Sequence, residues 1–578
     1  MRDQEKINIA GSLRTIYPEE ALVNSTVEKM EQRFRKYETS KVVREEKTWL
    51  TEKDSILITY GDTFIESNEP GLQVLNKFLN SYVKDSVSAV HILPMFPYTS
   101  DDGFSIVDHK FINPELGTWD DVRKLSEHYE LMFDAVINHV SKSSAWFQKF
   151  LLCEEPYQHY FIVADPNADY SSVTRPRATP LLTPFETKEG VKYVWTTFSE
   201  DQIDLNFKSP DVLIEVLDIL LMYAKTGARF IRLDAVGFIW KELGSTCMHL
   251  NQTHEIIKLI RKILGIYAPN TLIITETNVP QKDNISYFGN GNDEANLIYQ
   301  FPLPPLVMFS ILKGNAQKLS EWAKSVKPIS EYTTYLNFLS SHDGIGVQPA
   351  KGILTDQEIQ FLVNETMRNG GTVSYKDNGD GTKSPYELNI SYQDALASPE
   401  ESDEIRLKRF LAAETILLSM QGVPGIYIHS LLGSRNDYYG RAASNIPRRI
   451  NREKLILQKL QDELDTNTNR CKIFSEFIRR LQIRKEHTAF SPNAAQTVFL
   501  PDERIFAVLR KNALSGEAVY VLINVSSDTV AVSMEQFKGI DLLSGRPMSS
   551  KIVLNAYEAA WILGDSNYIN YEKGRKND

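Results

Sequence analysis

Cysteine is scarce. The 578 residues contain three, Cys153, Cys247 and Cys471, widely spaced and without a C-x-x-C pair. That spacing excludes a disulfide framework and a thiolate zinc site, and it fits a reducing cytoplasm. The ten histidines form no H-E-x-x-H or comparable pattern, so no metal and no other cofactor is implied. Long apolar runs are also missing. The opening MRDQEKINIAGSLRTIYPEE has no stretch of signal-peptide length, and charges break every later run before about 18 residues, so neither export nor a membrane span is expected. Basic residues are outnumbered, 64 Lys plus Arg against 75 Asp plus Glu, a net charge of −11. Adhesion to nucleic acid or to anionic membrane is therefore not expected, and any anionic ligand needs a local basic pocket. DNGDG (377–381) lacks the acidic spacing of a calcium loop, and FGNGND (288–293) lacks the continuation of a dinucleotide fingerprint; both read as loops.

What is present is the material of a large core. Apolar residues make up 42% and charged residues 24%, globular proportions far from those of a disordered chain. From about Pro18 to Trp49, Leu22, Val23, Val27, Met30 and Phe34 recur at helical spacing in a charged, mostly solvated segment, which predicts an N-terminal helical extension within 1–50. Eight short strand-like runs follow, at 55–62, 88–95, 131–139, 228–236, 271–278, 296–301, 333–343 and 423–430. Between them, segments such as 118–130, 210–227 and 253–264 carry an apolar face at helical period. Strands that are apolar throughout, alternating with amphipathic helices, predict an α/β fold, a (β/α)8 TIM barrel over 51–484. A doubly wound sheet is the competing architecture, but it would place a phosphate-cradling glycine turn after its first strand, and TYGDTF holds one glycine only.

Two connections are too long for simple loops and read as insertions after strands three and seven. The first, 141–209, carries Pro156, Pro166, Pro176, Pro180 and Pro184; the second, 344–400, includes KDNGDGTKSP. Long connections at the carboxyl ends of barrel strands usually build the substrate site. Past 485 the pattern changes to short alternating runs, TVFL, RIFAVLR, EAVYVLINVS and KIVLNAYEAAWIL, which predict a C-terminal antiparallel β domain over 485–566, with 567–578 as a tail.

The carboxyl ends of the apolar strands carry residues that are costly to bury: Asp134, Asn138 and His139 at the third, Arg232 and Asp234 at the fourth, Glu276 at the fifth, His342 and Asp343 at the seventh. Arg232 and Asp234 are two apart and project to the same face, so the guanidinium should keep the carboxylate ionised at neutral pH, as a nucleophile requires. An isolated R-x-D in a strand is more often a structural ion pair, and a single glutamate at a strand end is most often solvated. Three carboxylates at three strand ends around one rim suit retaining glycosyl transfer, which needs one ionised carboxylate near the anomeric carbon and one carboxylic acid near the departing oxygen.

DAVINH (134–139), FIRLDAV (230–236), TET around Glu276 and FLSSHD (338–343) resemble the four ordered motifs of the α-amylase superfamily, glycoside hydrolase family 13. The resemblance implies Asp234 as nucleophile, Glu276 as general acid/base and Asp343 as transition-state carboxylate, with Arg232, His139 and His342 lining a donor-glucose pocket. ITYGD, VHILPMFPYTSDDGF, GTWDD, WTTFSEDQIDLN, RLDAVGFIWKE and SHDGIGV are similar to the sucrose phosphorylase subgroup over about 55–455. By that likeness Asp101 grips the sugar, and Phe104 and Phe198 face it. A phosphorylase must admit an anion among carboxylates, which calls for local cations. Arg175 and Arg177 lie on the first insertion, and the resemblance makes Arg177 and Tyr386 of SPYELN phosphate contacts. Surface arginines in a proline-rich loop are otherwise usually solvated.

Departures from sucrose phosphorylases bear on the acceptor. Ser384 and Glu387 stand where those enzymes place an aspartate and a glutamine for fructose, and RRINR replaces R-D-I-N-R, with Arg448 matching and Arg449 in place of the aspartate. Trading acid for neutral or base suits an acceptor with its own carboxylate, although Glu387 points the other way. The N-terminal extension, VTRPRATPLLTPF, ITETNVPQKDNISYFGNGNDEANLIYQF and LLGSRNDYYG more closely resemble the glucosylglycerate phosphorylases. That resemblance implies small-molecule partners only: an α-glucoside, inorganic phosphate and glycerate, interconverted by reversible phosphorolysis of 2-O-α-D-glucosyl-D-glycerate to α-D-glucose 1-phosphate and D-glycerate. A sucrose phosphorylase or another phosphorylase of the subgroup, an amylase-like hydrolase and a noncatalytic binding subunit are the competing readings; the oligomeric state is left open.

Overall fold

A computed structural model describes residues 1–38, 49–177, 179–378, 381–534 and 537–564; the tail predicted over 567–578 and part of the predicted N-terminal helix lie outside them. The eight apolar runs form eight parallel strands that close into a barrel: β1 (Ile56–Thr59), β2 (Ala89–Ile92), β3 (Glu130–Ala135), β4 (Ala228–Leu233), β5 (Leu272–Thr275), β6 (Leu297–Tyr299), β7 (Thr334–Asn337) and β8 (Val423–Tyr427), in sequential order around the ring. The fold is the expected (β/α)8 barrel. Side chains alternate across each strand, so one set packs inside the ring and the other against the surrounding helices. Ile56, Ala89, Met132, Phe230, Ile274, Leu297, Leu336 and Val423 fill the interior with Leu50 below them. Their alternates, Leu57, Val90, Phe133, Ile231 and Ile273, belong to the core beneath the helices.

The N-terminal extension differs from expectation in extent and burial. It forms two helices, α1 (Asp3–Ile16) and α2 (Glu20–Phe34), separated at Pro18, so helix also precedes the stretch whose spacing predicted it. It is not mostly solvated. Ile9, Leu13, Val23, Met30 and Phe34 are fully buried against the barrel's outer helices. Arg33 reaches Glu215 and Asp218, each at 2.9 Å, on the helix Pro210–Lys225, and the Tyr17 hydroxyl donates to the Phe207 carbonyl at 3.0 Å. An amphipathic stripe read from sequence gives the apolar face but not what covers it.

The first insertion builds the hairpin Leu182–Thr187 with Gly190–Trp195 and a short pair, His139–Ser141 with Gln202–Asp204. His139 therefore starts a separate antiparallel strand and does not close β3. The second insertion holds the helix Asp356–Arg368 and a three-stranded sheet of Ile345–Gly346, Lys383–Asn389 and Thr372–Asp377. The C-terminal strands Ala495–Phe499, Ile505–Lys511, Ala518–Asn524, Ala559–Gly564, Gly539–Asp541 and Pro547–Met548 form one sheet in that order. Its Trp561 and Arg510 hydrogen-bond Ser419 of a barrel helix, at 2.8 and 2.9 Å. The run KIVLNAYEAAWIL divides at Tyr557, whose φ is +57°, into strands of two different sheets.

Candidate active site

The alternation that fills the barrel also builds the rim. Two residues beyond inward Met132, Phe230 and Ile274 stand Asp134, Arg232 and Glu276, and Asp234 follows Arg232 by the same step. Asp134 and Arg232 are register partners on β3 and β4. The ladder continues past the strand ends: the Asp234 amide donates to the Ala135 carbonyl at 3.2 Å and the Glu276 amide to the Leu233 carbonyl at 3.1 Å. Asp234 and Glu276 are thereby fixed on adjacent strand ends. The Arg232 guanidinium touches Asp134, donates to Asp234 Oδ1 at 2.8 Å and lies 3.9 Å from Glu276. The Ala235 amide, on a left-handed residue with φ +47°, donates to Glu276 Oε2 at 3.1 Å.

Asp343 arrives from the connection after β7 and meets Arg448 Nη1 at 2.7 Å. His342 lies 3.5 Å from the same carboxylate and stacks on Phe104, ring centres 4.9 Å apart and nearly parallel. Burial pushes the His342 imidazole down to about 3, more than Asp343 pulls it up, so the ring is neutral at pH 7. His139 is likewise lowered by burial and hydrogen-bonds the Phe104 carbonyl at 2.9 Å.

The three carboxyls do not titrate alike. Burial raises Asp234, to about 8, with the negative charges of Glu276, Asp134 and Asp343 adding to it against Arg232. Burial also raises Glu276, with Asp343 adding. Asp343 is the most exposed of the three, and Arg448, His342 and Arg452 outweigh its desolvation and hold it far below the ordinary range. Arg232 alone therefore does not keep Asp234 ionised, as the sequence suggested. Its charge is divided among three acids, and burial raises both members of the Asp234/Glu276 pair against it.

These groups open into a cavity of about 420 Å³. Asp234, Glu276 and Asp343 line it with Asp101, Phe104, His139, His342 and Arg448, all from the barrel rim, and with Phe198, Arg175, Arg177 and Tyr386 from the two insertions. Arg232 is the exception among the expected pocket residues. It lies beneath the carboxylates, 2% exposed, beside a much smaller adjoining space. Burial drives the Asp101 carboxyl up, but Arg448, Arg177 and Arg452 outweigh it and hold the group below its usual range. Arg177 is 3.9 Å from Asp101, and Arg175 donates to the Thr179 carbonyl. Burial pushes the Tyr386 phenol up to about 12, so it faces the cavity as a hydroxyl.

The residues that distinguish the acceptor end fall differently from expectation. Glu387 is not a free negative charge: Arg448 binds it through two parallel hydrogen bonds, Nε and Nη2 each at 2.9 Å. Arg449 is outside the cavity. It is spent on Asp102 at 2.8 Å, beside Arg452, which meets the same carboxylate at 2.5 Å. Ser384 hydrogen-bonds Asn378 at 2.9 Å and does not line the cavity either. Sequence reasoning missed His91, whose Nε2 lies 2.6 Å from Asp134 Oδ2, and the cavity-lining Gln202, Asn278, Gln348 and Lys376. A histidine inside the apolar run AVHIL was a legible signal for His91; the others sit in loop-like segments that look solvated.

The α-amylase catalytic-domain family model matches residues 60–352, and the chain belongs to the α-amylase family. Within it, the chain is 50% identical over 523 residues to a glucosylglycerate phosphorylase of Allomeiothermus silvanus, covering 90% of this chain and 92% of that protein. It is 45% identical over 522 residues to a glucosylglycerate phosphorylase of Escherichia coli K12, covering 90% and 93%. A crystal structure of sucrose 6F-phosphate phosphorylase from Thermoanaerobacter thermosaccharolyticum shares the fold, with a TM-score of 0.74 at 24% identity over 88% of this chain and 99% of that one. No helix among the described residues is long and apolar enough to cross a membrane.

Proposed function

We infer that this chain catalyses the reversible phosphorolysis of 2-O-α-D-glucosyl-D-glycerate to α-D-glucose 1-phosphate and D-glycerate, by a retaining double displacement. The observation that carries the phosphorylase reading is the set of two arginines on the first insertion, Arg175 and Arg177, facing a cavity floored by three carboxylates. A hydrolase that admits neutral water needs no such set, whereas an entering anion would be repelled without it. The substrate reading is supported by 45–50% identity to glucosylglycerate phosphorylases over nine-tenths of the chain. Cancellation of Glu387 by Arg448 also supports it, because it removes the acid that would oppose a carboxylate-bearing acceptor. Three free thiols fit a cytoplasmic location.

In this mechanism the reactive form carries the proton on Glu276 and the negative charge on Asp234. Burial favours a protonated Asp234 in the free enzyme, so the proton passes to Glu276 within the pair, and Arg232, 2.8 Å from Asp234 against 3.9 Å from Glu276, stabilises the charge left behind. Glu276 protonates the departing glycerate oxygen while Asp234 attacks the anomeric carbon. Phosphate then attacks the β-glucosyl enzyme from the other face. It is already an anion, so Glu276 need not deprotonate it. Two inversions return the α configuration. Asp343, Asp101 and the neutral His139 and His342 hold the glucose, Phe104 and Phe198 pack against it, and Arg177 with Tyr386 receives phosphate.

The test is product formation from glucosylglycerate, sucrose and glucosylglycerol, each with and without phosphate. Phosphate-dependent glucose 1-phosphate, formed fastest from glucosylglycerate, is expected. A wide preference for sucrose would overturn the substrate, and turnover indifferent to phosphate would overturn the phosphorylase.

A further inference from the structure

We propose that Lys376, on the second insertion, binds the acceptor's carboxylate and sets the preference for an acidic acceptor over a neutral one. This rests on the phosphorolysis reading above and adds to it a residue that the motifs do not mark. The two positions whose substitution suggested an acidic acceptor, Ser384 and Arg449, lie outside the cavity, so neither can make the contact. The cations that do line the cavity are mostly occupied. Arg448 is divided between Asp343 and Glu387, Arg175 donates to the Thr179 carbonyl, and Arg177, 3.9 Å from Asp101, is the phosphate contact of the reading above.

Lys376 is different. It lines the same cavity, partly buried on the strand Thr372–Asp377, and its side chain makes no hydrogen bond or ion pair among the described residues. Burial, with the like charge of Lys351 adding to it, lowers the ammonium from its ordinary range. A half-buried cation without a counterion gains most from a ligand that supplies one. In glucosylglycerate the carboxylate is borne by the carbon that carries the glycosidic oxygen, so it must lie beside the acid/base carboxyl at the mouth of the cavity. Phosphate occupies that mouth in the other half-reaction. Cations on separate insertions allow each anion its own principal contact, Arg177 for phosphate and Lys376 for carboxylate.

Glucosyl transfer from α-D-glucose 1-phosphate to D-glycerate and to glycerol, which lacks the carboxylate, is compared in the wild type, Lys376→Met and Lys376→Arg, together with the phosphate KM in the reverse direction. Lys376→Met should raise the glycerate KM by about 10- to 100-fold, the range of a lost hydrogen bond to a charged group, with glycerol transfer and phosphate KM changed less than about threefold. Lys376→Arg should restore most glycerate use. Wild type that ignores glycerate would overturn the substrate reading and this assignment with it. Wild type that uses glycerate, with a Met variant that loses nothing, loses both acceptors equally, or loses phosphate instead, would overturn the assignment of Lys376 alone.

Discussion

Arg232 and Lys376 are both cations of the same site, one on a barrel strand and one on an inserted lobe, and they are used in opposite ways. Arg232 is enclosed, and its charge is committed within the protein to Asp134, Asp234 and, more distantly, Glu276. Lys376 is partly exposed and has no carboxylate of its own among the described residues. In the strand-borne half of the site the charges are paired within the protein, as preorganised chemistry requires. The lobe-borne half leaves positive charge uncommitted, which suits ligands that change identity between half-reactions. Arg448 joins the two halves, with one hand on Asp343 and the other on Glu387.

The contrast can be broken most severely from the rim. Asp234→Ala should reduce glucosyl transfer by about 10⁴-fold or more while circular dichroism and cooperative melting persist; retained turnover would show another nucleophile. Next comes the joint. Arg448→Met strands Glu387 as an unpaired buried carboxylate and should cost about 3 kcal/mol in urea unfolding. Adding Glu387→Gln should recover much of that loss, and a double variant no more stable than the single would deny the pairing its weight.

Titration separates the halves further. Asp234 carries a folded-state pKa raised to about 8. A raised acid contributes full stability below its unfolded value, near 4, and loses it progressively as pH rises through the folded value. Asp234→Asn should therefore gain stability over wild type between pH 5.5 and 8.5, by about 3 kcal/mol, read from melts at both pH values. An unchanged difference would mean that the carboxyl is not raised. Activity should decline on the alkaline side as Glu276, also raised by burial, loses the proton it must donate.

The lobes should respond more gently. Arg177→Ala, at a side chain 40% exposed, should raise the phosphate KM by about tenfold with the glycerate KM little changed. Equal change in both would make the lobes one undivided anion site. Arg449→Ala should have the least effect on function, leaving the ratio of glycerate to glycerol transfer unchanged, because its partner is Asp102 and not a ligand. A shift in that ratio would return Arg449 to the acceptor end.

How much of this was legible follows from the range of the interactions. The eight strands are short apolar runs between amphipathic helices, and period-2 alternation carries Met132 to Asp134, Phe230 to Arg232 and Asp234, and Ile274 to Glu276 without reference to anything distant. The acceptor end was misjudged at Arg449 because its carboxylate partner lies 347 residues away in the chain. Glu387 was misjudged for the same reason, with its neutralising arginine 61 residues on. Lys376 precedes DNGDG and looks like any lysine at a solvated turn; only the folding of the hairpin over the rim makes it a wall of the cavity.

By itself the sequence determined the barrel, the family and the order of polar residues along each strand, since these rest on local periodicity and on motifs a few residues long. Tertiary structure alone decided which charges are spent and which are left for a ligand. That is a matter of which side chains meet across the fold and how little water remains between them, and neither distance nor burial is written in the order of residues.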